Sequence, residues 1–177
     1  MHRLLQKALG DIDSATAGMT EPELRCHPQG KWCAAEILEH LSLAFEHTVR
    51  GMNRCLAAGK NLGDEPTLKQ RIFHAVVLDL RHFPTGRKSP ELVAPKGELG
   101  GLEALEKIRT NLIAMDQTLA VCREKLGTRG RLANHPILGP LTNEQWCTFH
   151  YVHTRHHMKQ IRALRDQRNA KAVEARG

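Results

Sequence analysis

Four of the eleven histidines fall within eight residues: His150, His153, His156 and His157, in the stretch WCTFHYVHTRHHMKQIRAL that begins at Trp146. Imidazole is the side chain that binds transition metals and moves protons near neutral pH. His153 and His157 stand i, i+4, a spacing that puts both rings on one face of a helix and lets them grip one ion. At ~100° per residue, Trp146, His150, His153, His157, Ile161 and Leu164 fall within about 80° of arc. That arc is the one well-formed apolar face of the segment, so it should point into a core. Burying imidazoles without partners would cost ~1–3 kcal/mol each. Two readings of the spacing stay open: a metal site, or core histidines bonded to each other, to water and to carbonyls. His156 points about 100° off the stripe, toward solvent or beside the ligands.

These histidines need a helix to carry them and others to face them. Thr142-Asn-Glu-Gln145 is a capping box, and it launches the last helix, expected over about 143–168. Leu4, Leu5, Ala8, Leu9 and Ile12 predict a first helix over about 3–16. Thr20-Glu-Pro-Glu23 starts a short turn that His27-Pro-Gln-Gly30 stops. A long helix follows from about Cys33 to Ala58, with Ala34, Ile37, Leu38, Leu41, Phe45, Val49, Met52 and Leu56 as its stripe and Gly59 as its end. His40 lies about 100° from the centre of that stripe, where geometry favours a border residue with its tip in water. Glu36 stands one turn before it and His47 two turns after.

Pro66-Thr67 opens a further helix whose apolar residues Ile72, Val76, Val77 and Leu80 run up to Phe83-Pro84. From Pro84 to Gly101 the chain holds three prolines and four glycines, an irregular connection long enough to pack over a site. Leu105, Ile108, Leu112, Met115, Leu119 and Leu126 mark another helix, and Gly127 to Pro140 a second connection. No strand periodicity is visible. The fold class expected is all-α: a four-helix bundle with a short extra helix and a long crossover loop, as a single domain over 1–177 whose end, about 169–177, is a basic tail.

With 41% hydrophobic and 25% charged residues in 177, the chain has material for one core, built largely from aliphatic side chains because aromatics are only 4%. The net charge of +7 is scattered, with a cationic run at Arg162, Arg165, Arg168, Lys171 and Arg176 that reads as a solvated helix end. No nucleic-acid motif accompanies it, so no nucleic-acid partner is expected. No apolar run approaches the ~18 residues of a membrane span. Five cysteines without a CxxC or a signal peptide point to reduced thiols in a cytoplasmic protein. Apolar margins are compatible with a homodimer, although no heptad seam demands one. The segment Arg81 to Lys88, RHFPTGRK, offers cations to an anionic substrate group, or is simply surface.

The pattern from Trp32 through Leu41, with the late HxxxH and the following Gln160-Ile161, resembles the DinB-like superfamily of helical-bundle proteins. That name is shared with an unrelated DNA polymerase. The superfamily includes YfiT-type metal-dependent hydrolases and bacterial thiol-dependent S-transferases. The likeness runs from about Pro28 to Ile161 and is closest in His135-Pro-Ile-Leu-Gly-Pro-Leu-Thr-Asn-Glu-Gln-Trp146 and His153-Thr-Arg-His-His-Met-Lys-Gln160. It implies a metal held by His40, His153 and His157, one divalent ion of Zn, Ni or Fe. An open ion bound by three neutral imidazoles can activate water or stabilise a thiolate. The implied partner is thus a small-molecule substrate, with a low-molecular-weight thiol and an electrophile favoured over hydrolysis. A non-enzymatic, metal-stabilised stress protein is the competing reading. Around such a site His150 would be a general base, a fourth ligand or a satisfied core histidine. Glu36 would orient His40 or lie exposed, Gln160 would bond a ligand or water, and Cys33 would be a small buried thiol near by.

Overall fold

The computed structural model describes residues 1–84, 86 and 88–174, the side chains of 169 and 171–174 excepted. It is mostly helical: α1 (Arg3–Thr16), α2 (Glu21–Leu24), α3 (Ala34–Ala58), α4 (Leu68–His74), α5 (Gly101–Leu126) and α6 (Asn143–Glu174). A π-helical turn, Ala75–Asp79, prolongs α4, and a 3₁₀ turn, Glu91–Val93, interrupts the long connection.

The helix ends follow local chemistry. Glu23 Oε2 accepts from the Thr20 N–H at 2.6 Å, Glu36 Oε2 from Cys33 at 2.8 Å, and Gln145 Oε1 from Thr142 at 2.9 Å. Each satisfies a donor that a helix start leaves unpaired. Gly59 closes α3 at φ 63, a left-handed conformation in which a side chain would be strained.

α3 packs most extensively on α5, and α1 on α6. Leu5, Ile12, Leu38, Leu41, Phe45, Ile108, Leu112, Met115 and Leu119 fill the space among them with at most 2% exposure. The backbones of α3 and α6 approach each other far less. Between them lies a cavity of about 830 Å³, lined by both helices and by the long connection.

Three expectations are corrected. The segment after α5 contains two antiparallel strands, β1 (Arg131–His135) and β2 (Gly139–Thr142), pairing His135 with Gly139 and Arg131 with Thr142. They are too short, too rich in Gly and Pro, and too irregular across a bulge to show a period. Their buried Leu132, Leu138 and Leu141 nevertheless join the core. Second, the helix opened at Pro66-Thr67 buries only part of the apolar set assigned to it. Ile72 is 59% and Leu80 74% exposed, while in the π turn Val77 does go inward and Leu78, outside that set, goes in beside it. Third, α6 runs on to Glu174, and its cations are not all solvated: Arg162 reaches Asp11 at 3.4 Å and Arg168 reaches Glu23 at 2.7 Å. Arg176 and the side chain of Lys171 lie outside the described residues, as does Arg87.

Candidate metal centre

α3 and α6 run antiparallel, so His40 meets His153 and His157 while Thr48, two turns further along α3, meets His150. His40, His153 and His157 are 4%, 5% and 7% exposed. His153 Nε2 lies 3.1 Å from His40 Nε2 and 3.1 Å from His157 Nε2. Aromatic rings enclose the group. Phe83 stacks on His153 at 4.9 Å between centroids, Phe149 covers it at 5.3 Å, and Trp32 tilts against His40 at 5.2 Å.

The far sides of two rings are fixed. His40 Nδ1 donates to the Val93 carbonyl at 2.7 Å, and His157 Nδ1 donates to Gln160 Oε1 at 2.8 Å. With those protons on Nδ1, both neutral rings present lone pairs at Nε2. Burial keeps them neutral. It lowers the His40 pKa against the opposing Val93 bond, and it takes His157 to about 3 with help from His40. Burial, then the neighbouring His157 and His40, push His153 well below its ordinary value.

Three Nε2 atoms so converged cannot all be satisfied by each other, because one proton on His153 Nε2 serves only one neighbour. A cation resolves the conflict. Tetrahedral coordination at ~2.0–2.1 Å places ligand nitrogens about 3.3 Å apart, close to the spacing found. The donor set therefore fits a divalent ion such as zinc, and His40, His153 and His157 form a group able to hold one.

The remaining candidates fall elsewhere. His150 is 1% exposed and lines the same cavity, but its Nε2 bonds Thr48 Oγ1 at 2.8 Å. A helical threonine hydroxyl bonded one turn back, as Thr48 is to the Ala44 carbonyl, accepts the His150 proton. Burial takes the His150 pKa to about 3, far from the neutral range that suits a general base. Glu36 is not at the triad. Its carboxylate caps α3 at Cys33 and meets His27 Nε2 at 3.0 Å, making a separate His27–Cys33–Glu36 group. Cys33 sits at that cap, its thiol pKa raised by burial. His156 is half-buried against Phe83 and Gln160.

Several participants were not foreseen. Glu39 is 7% exposed and accepts from the Lys96 and Gly97 N–H groups at 3.1 and 3.0 Å, tying the long connection to α3. His47 Nε2 donates to the Leu92 carbonyl at 3.2 Å. Ser89 Oγ stands 3.4 Å from His40 Nδ1. The one available signal was a buried-looking run, Ile37 to Leu41, that carries a glutamate.

No curated protein and no solved structure matches the chain. One family model does, described as "Protein of unknown function (DUF1569)", over residues 4–163. Because that match takes in α1 through the centre of α6, including all three histidines of the triad, the chain belongs to the DUF1569 family.

Proposed function

We propose that this protein is a DinB-like four-helix bundle that binds one divalent ion, Zn, Ni or Fe, through His40, His153 and His157. In this reading it is an enzyme that joins a low-molecular-weight thiol to an electrophile. The observation that carries the proposal is the convergence of three neutral Nε2 atoms, two with their tautomers fixed, on the wall of a cavity of about 830 Å³. A bound ion would supply Lewis acidity and lower the pKa of a coordinated thiol or water.

The chain's own residues do the rest. The Val93 carbonyl and Gln160 aim two rings, and such supports set ligand basicity and orientation. Phe83, Phe149 and Trp32 keep bulk water from the ligand atoms, which strengthens electrostatic interactions there. The site also suits a hydrolase, with water in place of the thiol. A merely structural clamp between α3 and α6 would not need a cavity of substrate size beside it, which favours the enzymatic readings over a metal-stabilised stress protein.

The test is metal content by plasma mass spectrometry on tag-free protein, beside His40→Ala and His153→Ala/His157→Ala variants. Near-stoichiometric metal that both variants lose supports the site and justifies screening thiol and electrophile pairs with the ion restored. Protein that is metal-free as isolated and refuses Zn²⁺, Ni²⁺ and Fe²⁺ on titration sinks the proposal.

A further inference from the structure

The chain carries 19 carboxylate side chains, yet among the described residues no aspartate or glutamate lines the cavity. Lys31, Arg54 and Lys88 do line it, and none of their side chains has an ion pair or a hydrogen bond among the described residues. Two of these cations adjoin, along the chain, residues that touch His40. Lys31 precedes Trp32, whose ring tilts against His40, and Lys88 precedes Ser89, whose hydroxyl stands 3.4 Å from His40 Nδ1. Both are exposed at the rim. Arg54 lies near the far end of α3, some fourteen residues beyond His40, so about 20 Å away along the helix.

Between the charged ends the lining is largely apolar, with Met52, Phe73, Val77, Leu138 and Phe149. A cavity with cations at its rim, no carboxylate and a greasy wall attracts anions and repels cations before any contact is made. A metal ion at the triad would add to the same field.

We propose that the cavity takes a carboxylate-bearing small molecule with an apolar body, its carboxylate read by Lys31 and Lys88 beside the histidine triad. This names the substrate class for the function proposed above and rests on that reading for the chemistry, though not for the binding itself. Binding by the two lysines persists in metal-free protein.

Calorimetry on the metal-free, full-length protein tests it with three probes of one shape: hexanoate, hexanamide and hexylammonium. Fluorescence gives a second readout, because Trp32 and Trp146 are the only tryptophans and both line the cavity. Hexanoate should bind at least tenfold more tightly than hexanamide, and hexylammonium not measurably. Lys31→Glu/Lys88→Glu should abolish the preference, while Lys125→Glu, a charge change on exposed α5 surface, should leave it. Equal binding of acid and amide, no binding of hexanoate, or a preference that survives the double variant would overturn the inference. Repeating the series with Zn²⁺ separates it from the metal reading. A preference that appears only with Zn²⁺ and ignores the lysines makes the ion the anion's partner and overturns the lysine assignment alone. A lysine-dependent preference in protein that refuses every metal keeps this inference and sinks the other.

Discussion

Gln160 holds His157 by a single 2.8 Å bond, and a ligand so oriented depends on its supporting acceptor. Gln160→Leu should therefore keep the fold and weaken metal binding by about 10–100-fold, read by competition with a chromogenic chelator. The i, i+4 histidines and the cap that launches their helix were legible from residue types alone, because both follow from helical period. His40 was not. Its angular position pointed to a wet border, and what buries it is the 3₁₀ turn Glu91–Val93, a neighbour remote in sequence. Glu36 shows the converse. It lies on the same side of α3 as His40, but its carboxylate bonds backward to the helix start, as a glutamate three residues after an N-cap commonly does.

At the scale of elements, the long connection is fastened to α3 at three points: Glu39, His40 and His47. Glu39→Ala removes two bonds to backbone N–H groups and should cost about 1–3 kcal/mol in urea unfolding. Fast hydrogen exchange at Lys96 and Gly97 would show the connection released. A connection of that length was expected to cover a site, but its fastening depends on long-range contacts that no local pattern encodes. The junction of α2 and α5 is tighter. A Cβ at Gly101 would sit 2.4 Å from Leu24 Cβ, while Glu21 accepts from the Gly101 and Leu102 N–H groups at 2.7 and 2.8 Å. Gly101→Ala should destabilise the protein by about 1–3 kcal/mol, since neither helix can shift without breaking that cap. The β hairpin escaped notice for a different reason. Four residue pairs with a bulge, Pro140 and Gly139 are held by packing of Leu132 and Leu141, not by strand propensity.

For the whole molecule, acid is the informative stress. Burial lowers His135 to about 4 and His150 to about 3, against 6.5 for the free side chain. The unfolded chain therefore binds more protons than the fold at any pH between those values. Stability is fully present above about pH 6.5 and falls as pH drops toward 4 and 3, by up to ~1.4 kcal/mol per pH unit for each such histidine. Metal-free protein should show this slope in urea midpoints taken from pH 7 to pH 4.5. His150→Phe should remove about one proton's worth of it; an unchanged slope would mean that His150 is protonated in the fold. Helical architecture and the order of the elements were readable from periodicity and caps, because those are local. The separation of α3 from α6, which makes the cavity, was not, because it depends on how Phe83, Phe149 and the connection fill space together.

The two supports of the triad differ in how they can be inherited. His157 leans on a side chain, so most codon changes at position 160 abolish its partner. His40 leans on a backbone carbonyl, which every amino acid at position 93 supplies provided the turn survives. Random mutagenesis scored by metal retention should then find position 160 nearly closed to change and position 93 broadly permissive. A genetic screen would thus locate one of these two supports and pass over the other.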